Sequence, residues 1–162
     1  MNQTILEAKQ NLVNEIVAKA QESSSIVVAQ YKGLTVTKLQ EIRRALRKED
    51  CELCVYKNSL VERAGEKLGY AGLNEILVGP NAVIFSKDVI NGPKIIAKYA
   101  KRLGESLQIK GGVIEGKFAD ADKVKEVAKL PGREGLISMF LSCLQAPVRQ
   151  FACAVKAVAD AK

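Results

Sequence analysis

The last thirty residues constrain the architecture of this chain most, because they carry a continuous apolar stripe with very little charge. From Gly135 to Lys162 the charged residues are Arg149, Lys156, Asp160 and the terminal lysine. The apolar residues recur at the spacing of one helix face; they are Ile137, Phe140, Leu141, Leu144, Val148, Phe151, Val155 and Val158. The pattern predicts a helix from about Arg133 to Ala159 that needs another surface to cover its stripe.

This segment also repeats itself after eleven residues. Shifting Leu136–Ala146 onto Pro147–Ala157 aligns Ile137 with Val148, Phe140 with Phe151, Leu144 with Val155 and Ala146 with Ala157. Eleven residues are close to three turns of 3.6, so both copies present nearly the same face. The repeat predicts two equivalent docking sites in series, with Pro147 able to kink the helix at their junction.

Three interpretations of this helix remain open. It could pack on its own domain, bind helical partner chains in a groove, or lie on a membrane surface. The repeat and the Pro131-Gly132 break favour partner chains, and few Lys or Arg residues oppose the membrane interpretation. We therefore predict a globular domain over residues 1–130 and a hinge with a partner-binding helix over residues 131–162.

Upstream of the break, helical and strand patterns alternate. Helical spacing covers residues 4–22, 36–48, 58–67, 88–103 and 121–130, and strand patterns cover 26–31, 51–57, 82–85 and 107–114. Gly111-Gly112 predicts a bulge or a close backbone approach within the last strand. The sequence predicts an α/β (α+β) sandwich with a mixed sheet of about four strands, from which the C-terminal helix protrudes.

The charge distribution favours a polyanionic partner. Lys and Arg number 25 against 18 Asp and Glu, a net charge of +7. The excess lies in two central blocks: residues 31–67 hold nine cationic residues against six acidic, and residues 87–117 hold seven against three. A basic surface on a folded domain is therefore expected, in preference to a basic tail.

The first basic block supplies the candidate nucleic-acid contacts. Lys38, Arg43, Arg44, Arg47 and Lys48 lie on the second predicted helix. If the loops on either side of this helix meet at one end of the sheet, the Lys and Arg side chains would neutralise RNA phosphates there. Gly33, which has no side chain, would let the RNA backbone approach the protein backbone closely. The candidate RNA-binding residues are Lys32, Gly33, Arg43, Arg44, Arg47, Lys57, Asn58, Gly79 and Pro80. Asn58 could read a base edge or cap the third helix, and any one lysine alone is more often solvated surface.

Catalytic and metal chemistry find little support in the sequence. The chain has no His, no phosphate-binding glycine motif and no nucleophile paired with a His base. Cys51 and Cys54 have zinc-like spacing, but they lie on a predicted strand, where residues three apart face opposite sides. We predict no catalytic residue, no metal and no cofactor. The N-terminus lacks the pattern of a secretory signal and no stretch could span a bilayer, so a cytoplasmic protein is expected.

The ordered motifs resemble a known family. YKGLTV (31–36), LQEIRRALRK (39–48), YKNSL (56–60), VGPNAV (78–83) and KLPGREGLISMFLSCLQAPV (129–148) are similar, in order and spacing, to the tenth large-subunit ribosomal protein of bacteria, the stalk-base protein. The similarity covers essentially the whole chain. It matches Lys32, Gly33, Lys57, Asn58, Gly79 and Pro80 to the signature loops of the family.

The resemblance implies a function and a set of partners. The N-terminal domain would bind large-subunit ribosomal RNA beside the stalk, next to a neighbouring RNA-binding protein. The C-terminal helix would carry dimers of the acidic stalk protein, which recruit translational GTPases. The eleven-residue repeat predicts two such dimers. The alternative is an adaptor that binds helical partners without specific RNA binding, and salt-dependent RNA affinity separates the two.

Overall fold

A computed structural model of the chain describes residues 3–70 and 72–160. The strands are β1 (Ser25–Gln30), β2 (Cys51–Cys54), β3 (Asn81–Ser86), β4 (Gln108–Ile114) and β5 (Lys117–Asp120). The helices are α1 (Gln3–Glu22), α2 (Val36–Arg47), α3 (Asn58–Leu68), α4 (Leu73–Ile76), α5 (Asn91–Leu103), α6 (Ala121–Lys129) and α7 (Arg133–Asp160). By its internal contacts the chain divides into two units, Met1–Lys129 and Leu130–Lys162.

The five strands form one sheet in the order β2-β3-β1-β4-β5, and every neighbouring pair is antiparallel. The predicted α+β architecture and the long C-terminal helix are confirmed. The sheet differs from the expected mixed sheet of about four strands. Strand β5 has four residues, too few for a recognisable pattern, and it pairs with β4 through a tight turn at Glu115 and Gly116, both with positive φ.

The predicted irregularity in β4 is confirmed. The register of β4 against β1 shifts between Val28, which pairs with Gly111, and Ala29, which pairs with Ile109. Lys110 therefore has no partner in β1 and is the bulged residue. A Cβ on Gly112 would lie 2.2 Å from the carbonyl oxygen of Ile26. Gly112 is therefore required because β1 and β4 approach each other closely at this position.

Both faces of the sheet are covered by helices. Along β1, Ile26 and Val28 pack into one apolar cluster with residues of α1 and α3, while Val27 and Ala29 pack into another with α2, α5 and α6. Alternation along an extended strand sends successive side chains to opposite faces. This double burial explains why β1 reads as an uninterrupted apolar run, and it leaves the ends of the strands as the sites where loops are exposed.

The two closely spaced cysteines follow the same alternation. Cys51 is buried in the cluster beneath α2 and α5, and Cys54 packs against the opposite cluster beneath α1 and α3. Burial raises the pKa of both thiols, which disfavours their thiolate forms. The two sulfur atoms therefore lie on opposite faces of β2, as the strand assignment predicts.

The second unit consists mainly of α7, a helix of 28 residues that continues through Pro147. Leu136 begins its hydrogen bonding by donating its backbone N–H to the Gly132 carbonyl over 2.9 Å. All eight residues of its apolar stripe are exposed, by between 54% and 74% of their surface. Even so, no helix within residues 3–70 and 72–160 combines the length and apolarity that crossing a bilayer requires.

Candidate nucleic-acid interface and docking helix

Three loops meet at one edge of the sheet, which we call the loop edge (residues 31–35, 55–57 and 78–80). Strands β1 and β2 end at this edge, and the antiparallel β3 begins there. The register places Gln30 opposite Asn81 and Cys54 opposite Val83, so the segments that follow β1 and β2 emerge beside the segment that precedes β3. The antiparallel order thereby brings motifs far apart in sequence to one place.

Two hydrogen bonds hold these loops together. The backbone N–H of Tyr31 donates to the Pro80 carbonyl over 3.2 Å, and the Asn58 side-chain amide donates to the Gly79 carbonyl over 2.9 Å. Lys57 occupies the N-cap position of α3 and Asn58 is its first helical residue. Of the two roles considered for Asn58, helix capping is not the one observed, because its amide ties the loop before α3 to the loop before β3.

Two glycines at the loop edge adopt left-handed backbone conformations. Gly33 has φ of +78° and Gly79 has φ of +85°, values that side chains with a Cβ disfavour. A Cβ on Gly33 would meet no protein atom within 4 Å, whereas one on Gly79 would lie 3.6 Å from the side-chain nitrogen Nε2 of Gln30. Gly33 therefore exposes bare backbone to open space, where a ligand could approach closely.

Three lysines lie in or beside the loop edge. Lys32 and Lys57 are exposed, and among the described side chains neither forms an ion pair. Lys110, at the bulge of β4, donates its ammonium group to the Val78 carbonyl. Sequence reasoning missed Lys110, because only the register of β4 against β1 places it here. The Gly-Gly pair that follows it was the one signal of a bulge at this position.

The arginines of α2 lie elsewhere. Helix α2 starts at the loop edge after Thr35 and runs back along the sheet to a point just before β2 begins. Arg43 and Arg47 come eight and twelve residues after Thr35, or about 12 and 18 Å along the helix axis at 1.5 Å per residue. Arg43 is half-buried, and Arg44 and Arg47 are exposed. The structure therefore gathers Lys32, Gly33, Lys57, Asn58, Gly79 and Pro80 but sets the three arginines apart.

Tyr56 anchors the segment that leads into Lys57. Its ring meets Phe85 edge-on, with centroids 6.5 Å apart. Burial, together with hydrogen bonding to Cys54, raises the pKa of Tyr56 to about 12. The packing of the ring fixes the direction in which Lys57 leaves the sheet.

The second candidate surface is the stripe of α7. Its repeated pairs are Ile137 with Val148, Phe140 with Phe151, and Leu144 with Val155. Eleven helical residues turn through three rotations plus only about 20°, so the two copies face almost the same way. The more exposed members are Val148 (74%) and Phe151 (73%). This surface offers two similar apolar patches in series.

Two family models match the chain. The first, described as ribosomal protein L10, matches residues 4–101. The second, described as the C-terminal region of ribosomal protein uL10, matches residues 130–162. The second match begins at Leu130, where the second unit of the structure also begins. The loop edge lies in the first matched segment, and α7 lies in the second.

Curated relatives agree with these matches. The large ribosomal subunit protein uL10 of Bacillus cereus (strain B4264) is 52% identical over 159 residues, which cover 98% of this chain and 95% of the relative. The protein of the same name from Bacillus anthracis (strain CDC 684 / NRRL 3495) has the same identity and coverage. The similarity extends along both units.

Proposed function

The chain belongs to the ribosomal protein L10 family and is a protein of the large ribosomal subunit, and from this premise we propose that it works as the RNA-bound base of the ribosomal stalk. In this proposal the first unit binds large-subunit ribosomal RNA beside a neighbouring RNA-binding protein. Helix α7 carries dimers of the acidic stalk protein, which in turn recruit translational GTPases. The role is non-catalytic and is carried out on cytoplasmic ribosomes.

The convergence at the loop edge carries the RNA part of this proposal. Lys32 and Lys57 supply exposed cations, and Gly33 supplies backbone that a phosphate or ribose can approach without meeting a side chain. The hydrogen bonds from Tyr31 and Asn58 hold the loops in position before RNA arrives. A preorganised loop surface loses little conformational entropy on binding, which favours affinity.

The arginines of α2 form a second contact region in this proposal. Arg44 lies beside a shallow cleft between α2 and α5 that also contains Tyr99, and Arg47 is exposed at the end of α2. RNA that continues from the loop edge along α2 would meet Arg43, Arg44 and Arg47 in turn. The two regions then contribute separately, because they are at least two helical turns apart.

The RNA proposal is tested by binding a fragment of the large-subunit RNA from the stalk base at several salt concentrations. We expect Lys32→Ala combined with Lys57→Ala to weaken RNA binding. The slope of log affinity against log salt concentration should also become shallower by about 1 for each lysine removed. A matched control, Lys9→Ala combined with Lys123→Ala, removes two exposed lysines from α1 and α6. Equal losses in both double variants would show that the loop edge contributes only net charge, and the assignment would be wrong.

The partner part of the proposal is supported by the exposed repeat of α7. An amphipathic helix that binds in a partner's groove uses apolar anchors at helical spacing, and both copies provide them. The alternative function, an adaptor without specific RNA binding, uses the same helix. It differs by predicting that the Lys32 and Lys57 variants leave RNA selectivity unchanged.

A further inference from the structure

Helices α5 and α6 leave a groove between them above the start of β4. Its volume is about 910 Å³, which falls within the size range of binding clefts in proteins. Its floor consists of the partly exposed Ala97, Ala100 and Ala128 above the buried Leu107 and Ile109, and the exposed Gln108 also lines it. The groove lies entirely within the first unit and contains neither the loop edge nor the apolar stripe of α7.

Cationic side chains line both rims of this groove. They are Lys94, Lys98, Lys101 and Arg102 on α5, and Lys125 and Lys129 on α6. Among the described side chains, Lys125 alone of these six is in an ion pair, with Asp122 at 3.1 Å. An apolar floor between two positive rims attracts a ligand with an apolar face flanked by negative charge.

The lining distinguishes between two classes of anionic ligand. Single-stranded RNA is commonly held by aromatic platforms for its bases, and no aromatic side chain lines the groove. RNA phosphates would use the rims but would leave the partly exposed Ala97, Ala100 and Ala128 uncovered. We propose that the groove binds an acidic amphipathic helix of a partner protein, with its apolar face on the floor and its carboxylates between the rims.

The small side chains and the spacing of the charges suit a helix. Ala97 and Ala100 on α5 face the groove together with Ala128 on α6, and such small side chains allow a third helix to approach closely. Lys94, Lys98 and Lys101 recur at helical spacing along one rim, so their charges extend over about two turns. Carboxylates at the matching spacing on the bound helix would meet them in sequence.

The charges of the rims favour a different protein as the occupant over α7 or a second copy of this chain. The stripe of α7 is flanked by Arg149 and Lys156 and lacks the acidic flanks that the rims require. A second copy of this chain carries a net charge of +7 and would be repelled by the rims. An acidic partner satisfies both the floor and the rims.

The inference is tested with the full chain, labelled for amide NMR, and a synthetic 18-residue peptide with Leu on one helix face and Glu elsewhere. We expect shifts at residues 94–102, 107–109 and 125–129, separate from any shifts along the exposed stripe of α7. Lys98→Glu combined with Lys101→Glu should weaken binding at least about tenfold, because it places like charges against the peptide. The charge-matched control, Lys9→Glu combined with Lys123→Glu, should change affinity less than about twofold.

A second variant tests the floor without changing charge. Ala100→Trp should fill the groove and abolish the peptide-induced shifts, while the amide spectrum elsewhere stays that of the folded chain. Equal binding of a scrambled peptide, or shifts at residues 137–158 with none in the groove, would overturn the proposal. A 12-nucleotide uridine RNA that shifted the groove residues and displaced the peptide would also overturn it, by assigning the groove to nucleic acid.

Discussion

The same kinds of apolar residue are used in opposite ways in the two units of this chain. Val28 in β1 is fully buried, whereas Val148 in α7 is 74% exposed. Phe85 in β3 is 5% exposed, whereas Phe151 in α7 is 73% exposed. In the first unit, helices on both faces of the sheet cover these side chains. In α7 a continuous stripe is presented to solvent.

This difference separates two sources of free energy. Burial within the first unit stabilises its folded state directly, at roughly 25 cal/mol for each Å² of apolar surface. The stripe of α7 contributes only when a partner covers it, so its contribution depends on partner concentration. Residues of one type should therefore respond differently to the same substitution in the two units.

The largest expected effect compares two helical isoleucines. Ile42→Ala, at a fully buried position of α2, should lower the free energy of unfolding by about 3 kcal/mol because it leaves a cavity. Ile137→Ala, at an exposed position of α7, should change it by about 0.5 kcal/mol or less. Urea unfolding followed by tyrosine fluorescence measures the difference, since all four tyrosines lie in the first unit. Similar losses would mean that the stripe of α7 is covered within the free chain.

A smaller effect concerns two glycines with nearly the same positive φ. Gly33 and Gly116 have φ of +78° and +77°, and a Cβ on either would meet no protein atom within 4 Å. Each alanine variant should lose about 1 kcal/mol of folding stability. Only Gly33→Ala should also lose about tenfold in RNA affinity, or about 1.4 kcal/mol. An equal change in RNA affinity for both variants would remove Gly33 from the proposed contact surface.

The smallest effect is a difference in reactivity among the four native cysteines, which can be measured without any substitution. Burial raises the pKa of Cys51 and Cys54 in the first unit, while Cys143 and Cys153 in α7 are exposed. Two thiols should react quickly with Ellman's reagent at pH 8 and two slowly. Because the raised pKa favours the neutral thiols in the folded state, the slow pair should accelerate as pH rises above 9. Four equal rates would contradict the difference in exposure between the cysteines of the sheet and those of α7.

Much of the fold follows from local patterns, but the pairing of strands does not. The apolar run of β1 indicates a strand that is buried on both faces, and Gly111-Gly112 indicates the bulge in β4. Strand β5 is too short for a pattern, and it forms because the positive-φ turn at Glu115 and Gly116 returns the chain to β4. Parallel and antiparallel pairing depend on how distant segments meet, which residue spacing does not encode.

The candidate site shows the same limit. The sequence predicted three candidate loops, and their meeting at one edge depends on the antiparallel order of the sheet. Lys110 was missed because its position depends on a register shift. The arginines of α2 could be assigned to a helix, but their distance from the loops depends on the direction in which that helix runs. The RNA contacts themselves remain a prediction.

Native mass spectrometry would show whether α7 presents two docking sites in series. The full chain would be co-expressed with the acidic stalk protein of the same organism, and the complex would be weighed. Four copies of the stalk protein per chain are expected, falling to two when Phe151→Asp and Val155→Asp are combined. A bare chain, six bound copies, or an unchanged complex in the double variant would contradict the account.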